Sequence, residues 1–487
     1  MNDDFRKLAE HAARVINRQK KITIVTHIDV DGICAAAIAS EGLHRENIEN
    51  EVKFIKQLDA PTITELAKNS DEVYWFTDLG SGSLNELRIL KAIITDHHEI
   101  CGEYLPEIPK KSRTDLLKLA KELEKGYFPI VVNPHIVGSD GAYDLSGAGA
   151  TYYVIRELGG LKNRDLAHLA IVGAVGDLQN QTFGRLIGRN RTILEEGKKV
   201  GVVDAIMDIN MFGRETRPLH KLFQYSTDPP LPGLTELEEE CLIFLLENDV
   251  EPKKEDGVWK CWIDLTEVEK KKLLSGLRKK MVDEGFKEEI ISRLVTEVYI
   301  LCREEPGTPL HDAKEFATLL NSCGRYNKGD IALKICLGDR GKNLKDALEL
   351  QLDHKKTLVS HLEFVDKIGI SQKNFVQYFH AENKITDTLI GIVAGMLLSS
   401  NKAVADKPIV AFAYKSDDIN MVKVSCRGTR ALISKGLNLS VAVKDASQSV
   451  GGYGGGHNIA AGATIPKGKE TQFLELLENI VKSQIGS

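Results

Sequence analysis

The first 180 residues alternate between two periods. Short, mainly apolar runs recur at Ile22–Thr26, Val52–Ile55, Val73–Phe76, Ala92–Ile94 and Pro129–Val132, each ending in a polar turn. Runs of this length read as strands buried on both faces. Helical spacing fills the intervals. Residues 1–20 set Phe5, Leu8, Ala12 and Val15 on one face, and an Ala-rich helix follows from Ile33. Further helices are expected over 62–68, 84–90, a charged 116–125, onward from Ser146-Gly147-Ala148-Gly149, and over 166–175. Strands alternating with helices predict an α/β fold with a parallel sheet covered on both faces.

The pattern changes after residue 180. Pro229, Pro230 and Pro232 follow the apolar Leu219–Phe223, and the chain from Leu234 to Arg303 is helical and charged. Thr266-Glu267-Val268-Glu269 has the form of a capping box. The expected organisation is a parallel-sheet domain over 1–180, a mainly helical accessory insertion over 181–305 and a return segment over 306–342. A helical connector over 343–385 carries Leu348, Leu352, Val359 and Leu362 at helical spacing, and a smaller α/β domain occupies 386–487. In that last domain, 410–414, 422–425 and 459–464 read as strands and 441–446 and 469–482 as helices.

A chain of 487 residues exceeds one ordinary core, which agrees with several domains. The net charge of −6 excludes a global basic field, so any nucleic-acid contact must rest on local Lys/Arg clusters. Met1–Lys7 holds no signal-peptide apolar segment, and Leu389–Leu398 is too short to span a bilayer, so no membrane role is expected. The eight cysteines include no Cys-x-x-Cys pair, which points to the reducing cytoplasm and away from a thiolate zinc site.

Candidate chemistry collects at the strand ends. These are His27-Ile28-Asp29-Val30-Asp31-Gly32, Thr77-Asp78-Leu79-Gly80 and Asp96-His97-His98-Glu99, with Asp177 closing the helix over 166–175. Ligands of such sheets bind beyond the carboxyl ends of the strands, so topology gathers these residues into one crevice. Five carboxylates and three imidazoles there cannot all stay charged and unpaired. Divalent metal resolves the conflict. Asp/His ligation without Cys suits Mn²⁺ or Mg²⁺, with Zn²⁺ or Co²⁺ also compatible. Two ions sharing a carboxylate are the usual arrangement for splitting phosphate esters. Helix capping would account for Asp29 or Asp31 but not for the histidines. Near the C-terminus, Gly451-Gly452-Tyr453-Gly454-Gly455-Gly456-His457 could let backbone N–H groups approach an anion, with Arg427 and His457 adding charge. A flexible loop is the competing reading of that run.

These motifs resemble the DHH phosphoesterase superfamily. Asp96-His97-His98 matches its namesake motif, and His27-x-Asp29-x-Asp31-Gly32, Asp78 and Asp177 match the others in order. Ser425-x-Arg427 and Gly454-Gly455-Gly456-His457 resemble its DHH-associated C-terminal domain. Length, the insertion after the last metal motif, and His311–Ala317 leading to Gly324-Arg325 resemble the archaeal RecJ-like exonucleases, including the GINS-associated nuclease. The added OB-fold of bacterial RecJ has no clear counterpart.

The resemblance implies a two-metal exonuclease on single-stranded DNA or RNA, acting in replication or repair. His27, Asp29 and Asp78 would hold one ion and Asp31, Asp78, His97 and Asp177 the other. His98 would contact the scissile phosphate or act as an acid, and Asp96 would orient a histidine. Ser425, Arg427, Gly454, Gly455, Gly456 and His457 would grip phosphates, with Arg325 a weaker candidate. A GINS complex and the replicative helicase are the implied partners. Two alternatives stay open: a phosphodiesterase of oligonucleotides or cyclic dinucleotides, and a replisome scaffold without catalysis.

Overall fold

The computed structural model describes residues 4–69, 71–100, 129–400 and 402–486. The charged helix expected over 116–125 lies outside these residues. The chain forms two units, Met1–Leu350 and Gln351–Ser487.

In the first unit, five strands form one parallel sheet: β1 (Lys21–His27), β2 (Glu49–Ile55), β3 (Val73–Thr77), β4 (Lys91–Thr95) and β5 (Ile130–Val132). Their order is β2-β1-β3-β4-β5. The chain leaves β1 for one side and returns to the other at β3, so the topological switch point lies between β1 and β3. Every residue of β3 is buried, as the uninterrupted Val-Tyr-Trp-Phe-Thr run requires.

Small residues bring the helices close to this sheet. The helix Val30–Arg45 buries Ala35, Ala36, Ala37 and Ala39 in a core shared with Gly147–Gly159 and Ala167–Gly176. It starts three residues before the expected Ile33, because Asp29 caps it by accepting the Gly32 N–H at 3.0 Å. Asp31 therefore sits in the first helical turn. The leading helix Asp4–Ile16 buries Phe5, Ala9, Ala12, Ala13 and Ile16, with Leu8 and Val15 half-buried at the margin.

The insertion has a core of its own, built around Phe223, Phe244, Trp262, Leu273, Leu277 and Met281. Its root differs from the helical expectation. Strands β6 (Asp204–Ile209) and β7 (Val295–Ile300) pair antiparallel where the chain enters and leaves. Leu186, Ile193, Leu194, Val202, Val203, Tyr299 and Leu301, all within 181–305, pack into the sheet domain's core. The capping box forms as the sequence implies: Glu269 N–H donates to Thr266 Oγ1, and Thr266 N–H donates back to Glu269.

The boundary between the units falls within the helix Lys342–Ile368. The second unit holds a mixed sheet of β8 (Ser371–Gln372), β9 (Gln377–His380), β10 (Ile409–Tyr414), β11 (Met421–Arg427), β12 (Tyr453–Gly456) and β13 (Ala460–Pro466). The order is β12-β13-β11-β10-β9-β8. Residues 371–380, expected within a helical connector, are instead strands of this sheet. The helices Leu439–Ser449 and Glu470–Ile485 pack in one apolar core and Ile390–Ser399 in another. The glycine run forms the edge strand β12 rather than a loop. No helix among the described residues is long and apolar enough to cross a membrane.

Candidate metal centre

The carboxyl ends of β1, β3 and β4 meet at the switch point. At β1, His27 Nδ1 lies 2.8 Å from Asp29 Oδ2 and 3.9 Å from Asp78 Oδ2. At β4, His97 Nε2 lies 3.4 Å from Asp78 Oδ1, 3.8 Å from Asp31 Oδ2 and 3.7 Å from Asp177 Oδ2. His97 keeps its other nitrogen on the Gly141 carbonyl at 2.9 Å, which aims Nε2 at the carboxylates. Asp31 occupies the start of the helix Gly147–Gly159, accepting the N–H of Gly147 at 2.6 Å and of Ala148 at 3.1 Å.

Asp78 is the centre of this set. It is buried and has φ +59°, a left-handed conformation uncommon outside glycine. Its Oδ1 makes no hydrogen bond to any described residue. Gly147 leaves it room: a Cβ there would lie 2.6 Å from Asp78 Oδ1. Three donor sets can each hold an ion, with atoms mutually within 4.8 Å: His27/Asp29/Asp78, Asp31/His97/Asp177 and Asp78/His97/His98.

The electrostatics ask for a cation. Burial, then the carboxylates of Asp29, Asp31, Asp96 and Asp177, push Asp78 well above the ordinary carboxylate value. Burial and the nearby Asp31 push Asp177 up to about 6. Burial opposes a charge on His97, yet Asp177, Asp31 and Asp96 together hold its pKa above the usual imidazole value. A dication among these groups would relieve the repulsion and let every carboxylate ionise. The orphaned buried oxygen, the convergent donors and the absence of thiol from the set all fit a hard divalent metal.

The structure gathers all eight residues expected in the crevice. Asp96 stands behind the others, binding the backbone N–H groups of Ser81 and His97 at 2.9 and 2.7 Å. Arg325 ends the helix Ala313–Arg325, whose Gly324 abuts the Ile28 carbonyl between His27 and Asp29. Ser425, Arg427, Gly454, Gly455, Gly456 and His457 belong to the second unit. One supporting residue escaped the motif reading. Gln179 donates to Asp177 Oδ2 and to the Gly141 carbonyl, each at 2.9 Å, and accepts from Asn190 at 2.5 Å. It ties the Asp177 corner to the loop that holds His97.

The sequence matches the DHH family, N-terminal domain over residues 21–174, the DHH-CID domain over 211–295 and the DHHA1 domain over 372–483. It is 30% identical over 481 residues to an uncharacterized protein of Methanocaldococcus jannaschii, covering 97% of this chain and 96% of that one. The chain belongs to the DHH family.

Within that family its fold is RecJ-like. RecJ from Thermus thermophilus in complex with Mn²⁺ superposes with a TM-score of 0.56 at 15% identity, over 99% of this DHH chain. The chain spans 55% of that RecJ. A second structure, exonuclease RecJ bound to manganese, gives 0.53 at 15% identity over 97% of this chain and 94% of the other. CDC45 from Entamoeba histolytica gives 0.61 at 11% identity, covering 98% and 97% of the two chains. At these identities the likeness is one of fold.

Proposed function

We propose that this DHH protein is a metal-dependent phosphodiesterase that works as an exonuclease, removing nucleotides from an end of single-stranded DNA or RNA. The observation that carries the reading is Asp78, a buried carboxylate with an unbonded oxygen, placed between two sets of metal donors. His27, Asp29 and Asp78 would hold one divalent ion, and Asp31, Asp78, His97 and Asp177 another. Mn²⁺ suits this donor set, as do Mg²⁺ and Co²⁺. Bound there, such ions polarise a phosphate and ready a water for attack.

The chain's own groups supply the rest. Asp96 Oδ1 takes His98 Nδ1 at 2.7 Å, and Nε2, on a side chain that is 54% exposed, has no hydrogen-bond partner among the described residues. That nitrogen can contact the phosphate or give a proton to the leaving oxygen. Arg427, Ser425, His457 and Gly454–Gly456 would hold the strand's phosphates, with Arg325 assisting.

End-labelled DNA and RNA strands incubated with Mn²⁺, with Mg²⁺ and with EDTA test this. Mononucleotide release with metal alone is expected. Turnover of only short oligonucleotides or cyclic dinucleotides would favour the smaller-substrate phosphodiesterase, and metal-independent release would remove the reading.

A second role rests on the insertion. It has its own core, contributes no metal donor, and leaves Leu237, Ile243 and Leu246 exposed on and beside the helix Glu238–Glu247. We propose that it docks a GINS-type complex of the replicative helicase assembly. Co-elution with the organism's GINS subunits on a sizing column, retained in Asp78→Ala, is expected. Separate elution of folded partners at micromolar concentration would reject it.

A further inference from the structure

Strand β11 carries Lys423, Ser425 and Arg427 at alternate positions, so the three side chains share one face of the second sheet. The register sets Lys423 opposite Thr464, Ser425 opposite Gly462 and Arg427 opposite Ala460. One strand further, Gly455 faces Gly462. Two adjacent strands thus present bare backbone on this face. A Cβ on Gly455 would meet nothing within 4 Å, whereas a Cβ on Gly462 would lie 3.5 Å from Lys423 Nζ. Lys423 therefore arches over the glycine floor. At the far end, a Cβ on Gly391 would lie 2.5 Å from the Arg427 guanidinium and 3.1 Å from Ser425 Oγ. Gly454 does other work, since a Cβ there would press on Ser447 Oγ at 2.9 Å.

The charges on this floor are unbalanced. Among the described residues neither Lys423 nor Arg427 forms an ion pair, and Arg427 donates to the Cys426 carbonyl at 2.9 Å. Lys415, the next cation, is already taken by Asp417 at 3.2 Å. Burial and the charges of Lys415 and Arg427 lower the pKa of Lys423, opposed by Asp387, whose carboxylate accepts from Ser416 at 3.1 Å. A half-buried ammonium beside the Arg427 guanidinium, with no ion-pair partner among the described residues, gains from an anion that joins it.

We infer that Lys423, which lies outside both C-terminal motifs, is a phosphate-binding residue that holds a phosphodiester of the nucleic-acid strand over the Gly455–Gly462 floor, opposite Ser425 and Arg427. Open backbone admits the phosphate closely, and the two cations bracket it. The inference rests on the nuclease reading and adds to it a residue that positions substrate.

The full-length chain carrying Asp78→Ala, expected to turn over more slowly by roughly a thousandfold or more, is titrated with a fluorescent single-stranded oligonucleotide at several salt concentrations. Lys423→Gln added to it is expected to weaken binding roughly tenfold at low salt. The slope of log affinity against log salt should fall by about one, the signature of one lost phosphate contact. Lys423→Arg should restore both. Lys423→Met, which keeps the aliphatic stem, should match Lys423→Gln, and thermal unfolding shows that each variant folds. Undiminished affinity and slope in both neutral variants would overturn the role of Lys423 while leaving the nuclease reading intact. No oligonucleotide binding at low salt by the Asp78→Ala chain, together with neither binding nor digestion by the wild-type chain with Mn²⁺, would overturn both.

Discussion

Asp96 Oδ1 lies 2.7 Å from His98 Nδ1 and also accepts the backbone N–H groups of His97 at 2.7 Å and His98 at 3.2 Å. Burial alone would raise this carboxylate's pKa, but the bond to His98 and its charge hold it below the usual range. Asp96 thus favours its carboxylate form and orients the His98 ring through Nδ1. Asp96→Asn is expected to lower kcat roughly 10–100-fold, as loss of a group that orients a catalytic histidine does, while the metal donors stay in place. Steady-state kinetics beside a Mn²⁺ titration check this. Unchanged kcat would reject the orienting role.

Asp78→Ala should be more severe. It removes a carboxylate that reaches both His27, at 3.9 Å, and His97, at 3.4 Å. Losing several kcal/mol of metal-assisted stabilisation corresponds to roughly a thousandfold or more in rate. EDTA should abolish wild-type turnover and added Mn²⁺ should restore it. Calorimetric titration should find fewer ions per chain in the variant. Near-normal turnover by a folded Asp78→Ala protein would end the shared-carboxylate reading.

The centre was legible in the sequence because each donor follows an apolar run, and a parallel sheet delivers all such positions to one edge. At Asp29 one oxygen caps the helix while the other faces His27, so the cap leaves the second oxygen on the side of the candidate donor set. Gln179 was not legible, since its partner Gly141 is far off in sequence and only the fold brings them together. Strands β6 and β7 were hidden because their mixed sequences, Asp-Ala-Ile-Met-Asp-Ile and Val-Thr-Glu-Val-Tyr-Ile, offer neither an unbroken apolar run nor a clean period of two. Lys423 reads locally as an ordinary polar position on a half-buried strand. Only the register, which lays glycines beside it, reveals an anion floor.

Gly147 makes a sharper test than a ligand deletion. Its replacement removes no donor, yet a Cβ there would lie 2.6 Å from Asp78 Oδ1 and 2.8 Å from Asp78 Cα. Gly147→Ala must displace either the carboxylate or the helix start whose N–H holds Asp31. A displacement near 1 Å costs roughly a hundredfold in turnover. A comparable fall in kcat is expected, with the far-ultraviolet circular dichroism spectrum retained. Full activity would show that Asp78 need not sit where the structure places it.

A pH dependence of stability is expected at the root of the insertion. Glu315 is buried there, accepting the Glu215 N–H at 2.8 Å and the Thr216 hydroxyl at 2.5 Å. Burial, then the Asp312 and Glu215 carboxylates, outweigh those two donors and raise its pKa to about 7. The folded state therefore binds the Glu315 proton more tightly than the unfolded chain, where the group titrates near its ordinary value of 4.5. Between those two values the native state holds the extra proton, so stability falls as pH rises and levels off above about 7. The full effect is on the order of 3 kcal/mol. Glu315→Gln mimics the protonated acid and keeps the acceptor for Glu215. It should leave stability at pH 5 nearly unchanged and raise it at pH 8 relative to wild type. Denaturant unfolding of both proteins at the two pH values measures the difference, which cancels the contributions of titrating groups remote from Glu315. Equal wild-type and variant stabilities at pH 8 would show that Glu315 ionises in the native state at no cost.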